Sequence, residues 1–376
     1  MFLVNGFMVG SWAPQIPLVL KRLDISESTL GLLILCFGIG ALVSMPWCGW
    51  LMGRYGQQPV LRTVGLLQGV GMLLVVASSS VSTTAVSMFV FGALIGCTDV
   101  AMNSATITVE QKLRRAVMSS MHGFWSLGGF VGGAIGGLAL LTLGPLAHAA
   151  AVAVVAVAAS AAALPFILRN DLTNETGDAT KRGIRLPNSP VAYVLGLMAL
   201  ILFVGEGAVL DWAALFMTQE RGADVATAGL AYAFFAGAMA IMRFAGDAVR
   251  NRFGAVNTLR VSSLIAAVGM LAAALITDPV LVIVAFAISG LGFANTVPVV
   301  FSAAGNLPGV SSNAGMSVVT TMGYSGILLA PSAIGFVAEK SGFVPVFLGL
   351  AALVIVVFFL AGLTAPADGA RDQPAA

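Results

Sequence analysis

The chemistry-bearing residues of this 376-residue chain stand out because they interrupt apolar sequence. Residues 92–110 lie in an apolar run long enough to cross a bilayer, yet they carry Asp99 in the middle. At about 100° per residue, Gly92, Gly96, Asp99, Asn103, Thr106 and Glu110 fall within a stripe roughly 80° wide on one helix face. An ionisable residue at that depth is costly, and its default reading is a functional path. Burial disfavours the charged form of a carboxyl, so such a group holds a proton and gives it up when water, a cation or a polar solute arrives. That chemistry suits Asp99 to proton coupling; the plainer reading is an Asp that ties helices together by hydrogen bonds.

Glu206 is the second candidate of this kind, flanked by Gly205 and Gly207 in another apolar run. Asp211 is five residues further on, about 140° around a helix, so the two acids cannot address one partner. Asp211 lies closer to the outer surface and is read as a gate residue. Softer candidates for solute contact are Asn5 and Trp12 on one face of the first apolar run, Trp125, Asn295 and Tyr324. Rings with a polar tip combine an apolar face with a hydrogen bond, which suits sugars and also plain packing.

The elements that must carry these residues follow from composition. Hydrophobic side chains make up 59% of the chain and charged ones 9%, with a mean hydropathy of +0.99. This describes an all-α polytopic membrane protein. Twelve spans are expected, near 1–20, 28–52, 58–79, 83–109, 115–142, 145–168, 190–217, 224–248, 257–277, 279–304, 312–338 and 342–363. No cleavable signal peptide is expected, since the first run lacks a basic n-region and an A-x-A site. That run begins at Met1, which leaves the completeness of the first helix open. The three cysteines show no metal spacing, and no Ser/His/Asp set, nucleotide loop or metal cluster is apparent, so an enzyme, a cofactor and a metal are not expected. A transporter-like sensor would need an appended soluble domain, and the tail after residue 363 is short and plain.

Residues 169–190 are polar and end in Pro187 and Pro190, which reads as a linker between an N-terminal half (1–168) and a C-terminal half (191–363), with a tail at 364–376. Placing the N-terminus inside puts thirteen Lys and Arg on inner segments and leaves Lys21, Arg22, Arg221 and Lys340 outside. The positive-inside rule then makes both termini, the linker and the tail cytoplasmic. A shift of 198 residues lays Gly31 on Gly229, Phe37 on Phe235, Arg54 and Gly56 on Arg252 and Gly254, and Arg62 on Arg260. A parallel repeat of two six-span halves predicts a solute site at the midplane between them.

The segment holding Gly49, Gly53, Arg54, Gly56 and Leu61 resembles the signature loop of the major facilitator superfamily, between its second and third helices. Gly53 stands where that family has Asp, and Gln57 and Gln58 where it has basic residues. The second copy, with Gly246, Asp247, Arg250, Arg252 and Gly254, supplies the acid and the basic pair. The resemblance implies an inner latch, carried here by Asp247 with Arg243 or Arg250. Gly96, Cys97, Asp99, Ala101 and Asn103 resemble the fourth helix of fucose-permease-like members, which implies Asp99 as a protonation site and Asn103 as a neighbouring polar contact. That group also uses an acid in its first helix, where this chain offers Asn5. The paired glycines from Gly128 to Gly137 resemble a motif of drug and proton antiporters, with Gly133 where those have Pro. Two readings stand: proton-coupled symport of a small polar, sugar-like solute across a bacterial-type inner membrane, and proton-driven efflux of drugs or metabolites. Both imply alternating access by a monomer whose partners are the solute, protons and lipid, with no nucleic acid.

Overall fold

A computed structural model describes residues 1–113, 117–168 and 188–368, all helix and short connections. Among the described residues, eleven helices are long and apolar enough to cross a membrane. The first span is α1 (Phe2–Trp12), one 3-10 turn and α2 (Ile16–Leu23). It bends there because Pro14 and Pro17 have no N–H for the carbonyls of Gly10 and Ala13. Then come α3 (Glu27–Tyr55), α4 (Gln57–Ala77), α5 (Val81–Leu113) and α6 (Met118–Ala163). The C-terminal part holds α7 (Pro190–Glu220), α8 (Val225–Phe253), α9 (Ala255–Leu275), α10 (Pro279–Phe293), α11 (Thr296–Gly305), α12 (Ser312–Ser341) and α13 (Phe343–Leu360).

Local chemistry sets the ends. Asp224 caps α8 by accepting from the N–H of Ala226 and Thr227 at 2.8 and 3.0 Å, and Asp278 caps α10 through Leu281 at 2.9 Å. These carboxylates satisfy N–H groups that have no partner inside the helix. Gly56, Gly254 and Gly342 end α3, α8 and α12 at φ near +80° (87°, 79° and 79°), a conformation only glycine adopts freely. α6 is 46 residues long and breaks at Gly144 (φ 74°, ψ 171°), immediately before Pro145. α10 and α11 are parted at Ala294 and Asn295, where Pro298 denies an N–H to the carbonyl of Ala294. The segment 114–116, most of the expected linker (169–187) and the tail beyond 368 lie outside the described residues.

α3 and α8 have the same length with bounds 198 residues apart, and so do α4 and α9. Lipid gives no hydrophobic drive between helices, so close backbone approach does the packing. The glycine pairs of α6 serve two neighbours at once. Gly128 and Gly132 lie against the α1 backbone at Leu3 and Phe7, while Gly133 and Gly137 lie against α8 at Ala233 and Ala226. In the same way Gly40 on α3 meets Phe89 on α5, and Gly92 on α5 meets Phe37 on α3. A Cβ on Gly92 would stand 1.9 Å from the Phe37 carbonyl oxygen. Gly92→Val is therefore expected to cost about 1–3 kcal/mol or more through forced helix separation, read as a lowered melting temperature of the purified protein. An unchanged melting temperature would contradict this packing.

The end of the bundle that the Lys/Arg count places outside is sealed where α3 meets α7 and α12. There Gly31 of α3 lies on Pro331 and Ser332 of α12, and Gly335 lies on Glu27. Gln219 donates to Glu27 at 2.8 Å, and the Ser28 hydroxyl and N–H both donate to Glu339. Further along, Gly38 meets Leu328, whereas Gly49 and Gly53 have open space beside them. The α6–α8 seam runs on to Gly123 and Phe124, both against Phe244.

Candidate functional site

The acidic stripe on α5 does three separate jobs. Its upper part, Gly92 and Gly96, is contact surface against Phe37 and Ala41 of α3. At its lower end Glu110 accepts from the N–H of Val117 and Met118 at 2.6 and 2.8 Å, holding the start of α6. Asp99 and Asn103 remain between them, partly buried. The Asn103 amide donates to the Asp99 backbone carbonyl at 2.8 Å and lies beside its carboxyl. Among the described residues Asp99 makes no ion pair. Tyr324 on α12 lies within electrostatic reach of Asp99 and rests on the Phe203 ring at 5.7 Å. An acid of α5 with no ion pair among the described residues therefore lies near a phenol of α12.

A second polar cluster joins α6, α7 and α8. Arg243 of α8 forms an ion pair with Glu206 of α7 at 3.2 Å, both side chains being mostly buried (15% and 20% exposed). Its other nitrogen donates to the Ser126 hydroxyl of α6 at 2.6 Å. His122, one turn before Ser126, lies within electrostatic reach of Arg243 and turns its ring edge to Phe2. Tyr232 of α8 is buried among these groups and senses Glu206, Arg243 and Asp211. Spacing on α8 pointed Arg243 at Asp247, one turn away. The structure gives it Glu206, and Asp247 stands exposed near the C-terminal end of α8. Ser126 and Tyr232 were not among the sequence candidates. A small hydroxyl in a glycine-rich helix and one Tyr among four carry no periodic signal.

The other candidates divide between packing and ends. Asn5 is fully engaged, donating to Gln68 (3.3 Å) and the Ile95 carbonyl (3.4 Å) and accepting from Trp125 Nε1 (2.9 Å). It thereby ties α1, α4, α5 and α6 together. Trp12 is buried edge-on to Phe91. Asn295 sits in the α10–α11 break against Gly246, its amide nitrogen without a partner among the described residues. Asp211 lies between α7 and α12 near the sealed end. At the inner end Arg54 lies over the rings of Trp50 and Tyr55, and Gly56 makes the turn into α4. Arg250 donates to Ser302 (2.7 Å) and the Ala367 carbonyl (2.9 Å). Asp368 caps α9 at the Ala255 N–H, both oxygens at 2.9 Å.

The sequence matches the Major Facilitator Superfamily over residues 1–310 and 195–375, which together span nearly the whole chain. The chain belongs to that superfamily. It is 36% identical over 357 residues to an uncharacterized MFS-type transporter of Yersinia pestis, covering 95% of this chain and 92% of the relative. An uncharacterized transporter of Sinorhizobium fredii is 33% identical, with 97% and 93% covered. Membrane protein MosC of Rhizobium meliloti is 27% identical, with 94% and 85% covered. Among solved structures, the fold of this facilitator is similar to the nucleoside transporter NupG (TM-score 0.71, 13% identity, 96% of each chain). It is also similar to a D-xylose-proton symporter (TM-score 0.73, 14% identity, 96% of this chain and 94% of that one). This is a multi-pass membrane transporter of small molecules, and not an enzyme.

Proposed function

We propose that this facilitator is a proton-coupled symporter of a small polar, sugar-like solute, working by alternating access in a bacterial inner membrane with both termini cytoplasmic. Asp99 is the coupling carboxyl, Asn103 and Tyr324 contact the solute, and Glu206 paired with Arg243 is a second site where protonation breaks a bridge. The observation that carries this reading is Asp99 on α5, an acid with no ion pair among the described residues that lies within electrostatic reach of Tyr324 on α12. Glu206, Arg243 and Ser126 add donors and acceptors at the same interface. Such convergent polar groups between two rocking bodies are what a hydroxyl-rich solute requires. Transporters of a nucleoside and of a pentose share the fold.

Twelve spans in two six-helix halves, 1–168 and 191–363, fit the geometry. At about 1.5 Å per residue, unbroken α6 would reach twice the roughly 30 Å hydrocarbon core, so Gly144 divides it into two spans. The 198-residue correspondence of α3 with α8 and α4 with α9 supports a parallel repeat. In this orientation the halves are closed outside and parted inside along α3 and α12. Asp247, Arg250, Arg54, Gly49 and Gly56 lie at that inner end, where a latch would act. The efflux reading leans on the α6 glycines, whose packing against α1 and α8 serves any facilitator with these contacts.

The test is transport by the purified protein in proteoliposomes, with solutes chosen by thermal shift from sugars, nucleosides, polyols, organic acids and lipophilic drugs. An inward proton gradient is expected to concentrate a polar solute inside. Binding of lipophilic cations alone, with polar solutes inert, would replace symport by efflux.

A further inference from the structure

Near the sealed outer end, α7 and α12 enclose a small cavity of about 20 Å³, room for one water. Its wall includes Gly207, Asp211 and Trp212 of α7 and Ile327, Pro331 and Ile334 of α12. Space lies open beside Gly207. Asp211 makes no hydrogen bond or ion pair with another described side chain. Trp212 is wholly buried and its indole N–H has no partner among the described residues. A carboxyl and an indole donor beside one water-sized space supply the two partners that a buried water needs at the least.

This space adjoins the seam between the halves. A Cβ on Gly335 would stand 2.4 Å from the Glu27 carbonyl and 3.0 Å from the Trp212 ring. One on Gly31 would stand 2.6 Å from the Pro331 carbonyl oxygen. The charged and titratable groups around Asp211 are few. α7 itself offers Glu206, held by Arg243 of α8. α8 presents Tyr232, which senses Asp211. On α12, Tyr324 is turned to Asp99 and Phe203. From α3, Glu27 is engaged by Gln219, and from α2, Arg22 is spent on the carbonyls of Val75 and Val76. α10, α11 and α13 bring no charge.

We propose that Asp211 is a second proton-binding carboxyl, hydrated by one bound water, whose proton keeps the outer seam closed. With no cation of the described residues in contact, the ionised form has only that water to solvate it. When the proton leaves through water to the outer solvent, the anion draws more water between α7 and α12. The Pro331 turn of α12 then shifts away from Gly31, and the seam opens. This rests on alternating access as proposed above, but not on Asp99 as the coupling group.

The test uses the full chain in nanodiscs with Cys36, Cys48 and Cys97 replaced by Ala and spin labels at Asp24→Cys and Ser341→Cys across the seam. The label distance is expected to lengthen as pH rises in this parent, and to stay short at every pH when Asp211→Asn is added. Asp99→Asn is expected to lengthen like the parent, so a failure of the coupling proposal leaves this one standing. In infrared difference spectra, a carboxylic-acid C=O band lost at alkaline pH should persist in Asp99→Asn and be missing from Asp211→Asn. A parent that never opens, an Asp211→Asn variant that opens at the parent's midpoint or keeps the band, or loss of both signals in Asp99→Asn would each overturn the assignment.

Discussion

Asp99→Asn is expected to abolish proton-driven accumulation, so that solute in proteoliposomes only equilibrates across the membrane. Counterflow exchange should survive within about tenfold, a difference of roughly 1.4 kcal/mol. The amide matches the carboxyl in size and still meets Asn103, so solute contacts and the bundle are kept. What it loses is the ability to take up and release a proton. Accumulation and exchange therefore separate, which damage to folding or to the solute site would not produce. A buried acid that only ties helices together predicts the opposite, because an amide ties them as well. Undiminished accumulation by this variant would remove Asp99 from the coupling role.

Sequence carried the long helices because their cues are local. The start and end of α3 follow from Ser26 and Gly56, and the apolar run between them sets its length. Asp99 was visible for the same reason, as one charge inside a span. Partners were harder, since they depend on which helix faces meet. Arg243 and Asp247 share a helix face by spacing, yet Arg243 reaches Glu206 thirty-seven residues away and Ser126 on α6. A one-turn pair at a helix end stays solvated and gains little, whereas Glu206 is held within the bundle. Asn5 shows the converse. Its polarity in an apolar run suggested solute contact, and its three bonds to Gln68, Ile95 and Trp125 show a junction of four helices. The cavity beside Asp211 left no trace in spacing, because it needs Pro331 of α12 opposite Gly207 of α7.

The Arg243–Glu206 bridge has the second largest expected effect. Arg243→Met leaves Glu206 facing the interface with no cation, and removes the only bond from this cluster to Ser126 among those described. A partly buried pair broken from one side is expected to cost about 2 kcal/mol, below the 3–5 of a fully buried one because both side chains keep some exposure. Glu206→Gln alone leaves Arg243 a neutral acceptor and should cost less. Combining the two removes the stranded charge, so the double variant is expected to be more stable than Arg243→Met alone. A coupling energy of about 1–2 kcal/mol between the positions, read from melting or denaturant curves of the four proteins, is the expected result. Transport should not return with stability, because the bridge to Ser126 is still absent in the double variant. Additive stabilities would show that the two charges act independently. Recovered transport would show that the contact between α8 and α6 is packing alone.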